Sequence, residues 1–340
     1  MTYRIYKEKE HVANNDIELN NLTNSLKKRF VKDFSLPISI FKDDIFKYYI
    51  NELDNYFQTK NKLKLFNNWI NTLSKEEKEN IKNYLFNKLQ NAIDKFKQTE
   101  IFKFFNSIDM KNFNINNINI KQENIYIPDN NEKIFLSIDL KKANLQAILI
   151  YNLIVKTEKY IGKYRNVEKE YEEFIKEYIR PRNNIEFEYF KQSKYIRQYL
   201  FGNLNPKRQQ KLQKYFINLI ANKILTHTNE EIVSASSDEI VIKNPKDLNK
   251  IENIINEVKF NHHLDLNITK FKLKQIDKKY SFYYKEHENG FKEIKNVPTP
   301  LWMQVYKKIY NLPLHEYDLK IIYNENNLKL IATLDKPLFS

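Results

Sequence analysis

The sequence predicts an α+β protein, with a mainly helical N-terminal region followed by an antiparallel sheet with packed helices. Three observations carry that expectation. From about residue 17 to residue 110, apolar side chains recur at intervals of three and four, the period of a helix. Beyond residue 132, apolar or alternating runs of strand type recur, broken by turn signals at Glu288-Asn289-Gly290 and at 324–327. No internal repeat and no long low-complexity linker separates the two patterns.

Taken in order, SIFKDDIFKYYINELDNYF is amphipathic, and Ser74 with Glu77 forms a capping box ahead of IKNYLFNKLQNAIDKF. Residues 111–132 lose the helical period and alternate Asn with Ile, which marks a boundary with short strands or an ordered loop. The expected division is therefore 1–110, helical, and 111–340, the sheet-bearing domain, with a helical insertion at about 155–226. KIFLSIDLKKANLQAILIYNLIV opens as a buried strand, Ile134 to Ile138, and continues as a helix, with Asp139 at the junction. A charged helix running to Pro181 and a second ending at Gly202 follow, and Pro206 opens a third at a first-turn position that favours proline. IVSASSDEIVIK, residues 232–243, reads as a hairpin, and KDLNKIENIINEVKF as the helix returning the chain to the sheet. Three alternating segments complete it, with the helix TPLWMQVYKKIYN between the second and third.

Composition narrows the chemistry. The 340 residues contain no cysteine, which excludes disulfides, thiol nucleophiles and zinc-thiolate sites, so a metal must be held by oxygen or by the six histidines. Fifty-seven Lys and Arg against 43 Asp and Glu give +14, which points to a polyanionic partner, although an AT-rich genome enriches Lys, Asn, Ile, Tyr and Phe together. No run approaches eighteen apolar residues and MTYRIYKEKE lacks a signal-peptide core, so the expectation is a soluble cytoplasmic protein, of the host cytoplasm if viral. Only three glycines occur, Gly162, Gly202 and Gly290, each expected at a backbone position that other residues tolerate poorly.

The adjacent acids Asp238 and Glu239 sit between apolar strands. A pair of acids at a hairpin is ordinarily a solvated turn. Neither is followed by the Gly or Asn of a surface turn, and interior carboxylates require compensation, for which a divalent cation is the natural candidate. Asp139, at the end of another buried strand, supplies an opposing ligand if the two strands are neighbours. Other constellations are weaker. His262 and His263 are adjacent and cannot readily share a metal, the serines of SASS have no nearby His, and Glu257-Val258-Lys259 lies in a predicted helix where a nuclease needs a strand. Tyr283 and Tyr284 suit core packing better than base stacking in so aromatic a chain.

In their order, three segments resemble the motifs of palm-domain nucleic-acid polymerases. DLKKANLQAIL looks like motif A of the family A type, SKYIRQYLFGNL like a shortened motif B helix, and SASSDEIVI like motif C. The resemblance spans residues 133–243, with Asn144, Gln146 and Ser237 departing from the family A pattern, and the 36 residues from Gly202 to Asp238 suit a more compact palm. It implies a palm-like antiparallel sheet and a nucleotidyltransferase using two-metal-ion phosphoryl transfer from nucleoside triphosphates with Mg²⁺ or Mn²⁺. Carried over, Asp139 and Asp238 are the metal ligands and Glu239 the second acid of motif C. Lys194 and Arg197 face the triphosphate, and Phe201 and Gly202 lie against the nascent base pair. Lys141, Lys142, Lys207, Arg208 and Lys211 are then candidates for contacts to DNA or RNA phosphates, against the alternative of a solvated helix face. The hairpin is also similar to that of the tRNA-histidine guanylyltransferases, whose glycine-containing first motif is absent here. A reading of a different class is a non-catalytic, basic nucleic-acid-binding or assembly protein with a degenerate palm-like fold.

Overall fold

A computed structural model describes residues 22–113, 120, 123–156, 164–277, 279–323 and 327–330, with side chains described as far as residue 320. The helices are α1 (Asn24–Phe34), α2 (Asp43–Glu52), α3 (Asp54–Phe57), α4 (Thr59–Asn71), α5 (Lys75–Glu79), α6 (Ile81–Lys97) and α7 (Glu100–Ser107). Strand β1 (Ile134–Leu140) then leads into α8 (Ala143–Ile148), α9 (Ile150–Ile154), α10 (Val167–Phe174), α11 (Asn184–Gln192), α12 (Lys194–Gly202) and α13 (Pro206–His227). The hairpin β2 (Glu231–Ala235) and β3 (Glu239–Lys243) precedes α14 (Leu248–Asn261), β4 (Leu266–Asp277), β5 (Phe282–His287) and β6 (Lys292–Lys295). Helix α15 (Trp302–Ile309) and the antiparallel pair β7 (Lys320–Tyr323) and β8 (Asn327–Leu330) follow. No described helix is long and apolar enough to cross a membrane.

The protein is α+β, with a six-stranded sheet in the strand order β2-β3-β1-β4-β5-β6 and a two-stranded sheet, β7-β8. The chain divides into two compact units. The smaller comprises the chain up to Ser74, 192–195 and the chain from Lys274; the larger comprises 75–191 and 196–273. This division differs from the expected one at residue 110, because α5, α6 and α7 go with the sheet-bearing unit and the first four helices go with the last strands.

In the larger unit the connectivity is β1, helices, β2, β3, α14, β4, and β1 pairs antiparallel with both β3 and β4 while β2 pairs antiparallel with β3. Thus β1 and β2 run parallel with β3 between them, the split β-α-β arrangement. The period of two separates the faces. One carries Leu136, Ile138, Leu140, Ile240 and Ile242, all buried, and α13 lies against both β3 and α8. The other is divided along its length. Phe135 and Phe271 stack there with centroids 5.6 Å apart, and towards the C-terminal end of β1 the residues become Ser137, Asp139, Glu239, Thr269 and Asn267.

The smaller unit has an aromatic core, in which Phe30 packs edge-on to Phe46 and Phe66 and Trp69 follows. The hydroxyl of Tyr56 donates to the Lys292 carbonyl and accepts from the Ile294 N–H, occupying backbone groups of β6. A second cluster gathers Phe282, Val305 and Ile309.

Several local expectations are met. Pro206 begins α13, Gly202 ends α12, and Gly290 holds the β5–β6 turn at φ +79°, a region that glycine enters without strain. Gly202 is different, since a Cβ there meets nothing within 4 Å, so neither space nor conformation demands glycine. His262 and His263 lie at the C-terminal end of α14 and not in a strand. Gly162, most of the Asn-Ile alternation of 111–132 and the turn at 324–326 lie outside the described residues.

Candidate functional site

The acidic residues come together at the end of β1. Asp139 stands directly across from Glu239 in the β1–β3 register. The Leu140 N–H donates to the Asp238 carbonyl at 2.8 Å, which makes Leu140/Asp238 a hydrogen-bonded pair and Asp139/Glu239 a non-hydrogen-bonded one. In such a pair the Cα atoms come within about 4.5 Å and the side chains leave the same face. Ser137, two residues earlier on that face and buried, donates its hydroxyl to Glu239 Oε1 at 2.5 Å. Asp139 and Glu239 are themselves half-buried.

Asp238 is held otherwise. It lies in the turn before β3, where its carboxylate accepts from the hydroxyls of Ser236 (3.1 Å) and Ser237 (3.4 Å). Ser236 in turn accepts the N–H groups of Asp238 and Glu239, an ST-type turn that fixes the hairpin tip. The register therefore sets Glu239 across from Asp139, where the motif comparison set Asp238. On the adjoining helix Lys214 donates to the Ala235 carbonyl at 3.0 Å, and burial lowers its ammonium pKa.

The basic residues separate into three groups. Lys142 and Arg197 converge, each within 6 Å of the centre of the buried Tyr171 ring. Lys142 also pairs with Glu168 at 2.7 Å; burial and then the Arg197 charge press its pKa down, while Glu168 acts in the opposite sense. Lys207 and Lys211 are exposed on α13, and Lys194 is exposed at the start of α12 within a stretch that belongs to the smaller unit. Lys141 and Arg208 serve the fold. Lys141 pairs with the buried Asp265 at 3.0 Å, and Arg208 donates to the carbonyls of Phe105 and Ile108 at the end of α7. Phe201 is 1% exposed, packed on Tyr171 and Phe174, so its ring has no face for a base pair.

Sequence reasoning missed Asp265, which gathers the region. Its carboxylate accepts from Lys141 and from the Val167 N–H, and its backbone makes two hydrogen bonds with the Gln146 amide. Ser137 and Glu168 were missed too. Ser137 was legible in principle, since Ser-Ile-Asp in a strand sets Ser137 and Asp139 on one face.

Among the described residues, no three His, Asp or Glu side chains stand together as a ready-made metal group. The acids present nonetheless suit Mg²⁺, because the donors are all oxygens, and that ion uses one or two carboxylates and takes its other ligands from water and substrate phosphate. Two carboxylates facing each other across a strand pair repel, and a shared cation removes that cost. No family model, no curated protein and no solved structure matches this chain.

Proposed function

We propose that this protein is a nucleotidyltransferase, a small nucleic-acid polymerase with a palm-like catalytic core that transfers nucleotides from nucleoside triphosphates to DNA or RNA. The observation that carries the reading is topological. The first motif acid, Asp139, lies at the C-terminal end of β1, an interior strand of the split β-α-β sheet, and the second motif, Asp238-Glu239, leads into the neighbouring strand β3 on the β2–β3 hairpin. Both acids of the facing pair project from the polar end of one face, away from the buried aliphatic face.

Asp139 and Glu239 would hold the divalent cation, with Asp238 at the adjoining hairpin tip. Bound there, Mg²⁺ or Mn²⁺ supplies charge neutralisation and Lewis-acid polarisation of the attacking hydroxyl and the α-phosphate. Ser137 keeps Glu239 turned along the face, and Ser236 fixes Asp238. Arg197 orients the triphosphate, with its planar fork suited to phosphate oxygens. Lys207 and Lys211 contact nucleic-acid phosphates, which position a strand without reading its sequence.

The test is Mg²⁺-dependent incorporation of labelled nucleotide on primed DNA, primed RNA and tRNA. Asp139→Ala and Asp238→Ala are each expected to abolish incorporation while nucleic-acid binding persists. A wild-type protein that binds nucleic acid yet incorporates nothing on any of these substrates favours the non-catalytic binding protein, a reading that rests on the exposed Lys207 and Lys211 and the net charge of +14.

A further inference from the structure

Three residues beyond Asp139, two cations share one aromatic ring. Lys142 Nζ lies 5.2 Å and Arg197 Cζ 5.9 Å from the centre of Tyr171, whose ring is itself fully buried. Each cation is attracted by the ring, but the two repel one another. The nearby carboxylates are mostly bonded to other cations. Asp265 pairs with Lys141 and Glu172 with Lys191, and among the described residues no carboxylate pairs with Arg197. Among the described residues Glu168 is the carboxylate bonded to Lys142, with Asp265 adding a weaker favourable charge, and the Glu168 side chain is 55% exposed while that of Lys142 is 10% exposed. Among the described residues, then, the half-buried Arg197 guanidinium has no bonded carboxylate and stands beside an ammonium bonded to one solvent-facing acid, which leaves room for a further negative charge. Phosphate suits that pair in charge, and the arginine fork and the lysine point charge are both groups that bind phosphate oxygens.

Location adds to the argument. Three residues of chain span at most about 11 Å, so the backbone of Lys142 is close to that of Asp139. Glu168 lies in the first turn of α10, where the helix dipole favours its charge whether or not it holds Lys142.

We propose that Lys142 and Arg197 form the seat for the phosphate tail of a nucleoside triphosphate, and that Glu168 is a displaceable counter-ion that occupies Lys142 until the phosphates arrive. The choice of a nucleoside triphosphate rests on the nucleotidyltransferase reading; the anion seat and its competition with Glu168 do not. Lys142 thereby becomes a substrate ligand and not a contact to nucleic acid, and Glu168 sets the affinity by competing for it.

Calorimetric titration with inorganic tripolyphosphate and with a nucleoside triphosphate tests this on the full chain. Glu168→Gln is expected to tighten tripolyphosphate binding at least threefold. Lys142→Gln and Arg197→Ala are each expected to weaken it at least tenfold, with Lys142→Arg restoring most of the loss, and the urea midpoint of every variant checks that it folds. The proposal is overturned if Glu168→Gln leaves the affinity unchanged or lower, or if Lys142→Gln and Arg197→Ala both stay within twofold of wild type. Nucleotide incorporation with those affinities unchanged leaves the catalytic reading standing and removes this seat. The expected affinity changes without any incorporation uphold the seat and remove its assignment to a polymerase substrate.

Discussion

Replacing Glu239 with glutamine should stabilise the metal-free protein and make it less responsive to magnesium. The substitution keeps the acceptor that Ser137 bonds and removes one charge of a facing pair. Facing residues of such a pair have Cβ atoms about 5 Å apart, and at that separation Coulomb's law gives roughly 3 kcal/mol at an effective dielectric of 20 and roughly 0.8 kcal/mol in bulk water. Half-burial sets the expected gain between these, at about 1–2 kcal/mol at pH 7–8 in EDTA. Magnesium should reverse the order, because a cation bound only by the folded state adds about 2.7 kcal/mol at a hundred times its Kd. The assay is urea unfolding followed by intrinsic fluorescence, in EDTA and in increasing Mg²⁺. A variant no more stable than wild type in EDTA refutes the repulsion argument. A Mg²⁺ response equal to that of wild type refutes the shared cation.

Three further outcomes are expected. In the smaller unit Lys307 is buried among the Tyr48 hydroxyl (2.7 Å), Glu52 (2.9 Å) and Asp318 (3.3 Å), so Lys307→Met strands a buried carboxylate and should cost about 3–5 kcal/mol at pH 7. Burial already raises the Asp318 pKa, and a raised acid favours the folded state as pH falls, so the deficit measured by urea midpoint should shrink towards acid pH. Glu293 is pushed up by burial but held at about 2 by its hydrogen bond to His287 and the charges of Lys295 and Lys285; its stabilisation is therefore complete above pH 4.5 and lost as pH falls from 4.5 to 2. With its side chain 37% exposed, solvent screening limits the effect to about 1 kcal/mol, and Glu293→Gln should flatten the acid limb of the stability curve by that amount. Phe201→Ala should lower stability by about 3–5 kcal/mol while Gly202→Ala leaves it unchanged or slightly raised, which separates core packing from any contact with substrate by unfolding midpoint.

The elements whose signal is local were legible in the sequence. The strand at 134–138, buried from Phe135 on, the hairpin around Asp238, Pro206 at a helix start and the Asn289-Gly290 turn all appear where periodicity and turn chemistry set them. The long-range facts were not. That Glu239 faces Asp139 depends on a cross-strand register, which a shift of one residue would invert, and no single segment encodes it. The roles of the cations depended on distant partners in the same way. Lys141, Lys142 and Arg208 read alike in sequence, yet one meets Asp265, one shares Tyr171 with Arg197 and one closes a helix end. Phe201 looked functional beside a rare glycine because sequence alone does not distinguish an aromatic ring in a helical core from one at a helix surface.

The discontinuity of the smaller unit bears on how the chain is made. Its helices α1 to α4 are complete by residue 74, but β5, β6 and α15 follow the close of the larger unit at residue 273, roughly 200 residues later. At about 5–20 residues per second, translation holds those helices without their partners for roughly 10–40 s, a long time for apolar faces to remain uncovered. The larger unit is the first to possess all its strands and helices. On the ribosome, the part of the molecule that carries the acids can therefore mature while α1 to α4 are still waiting for their complement.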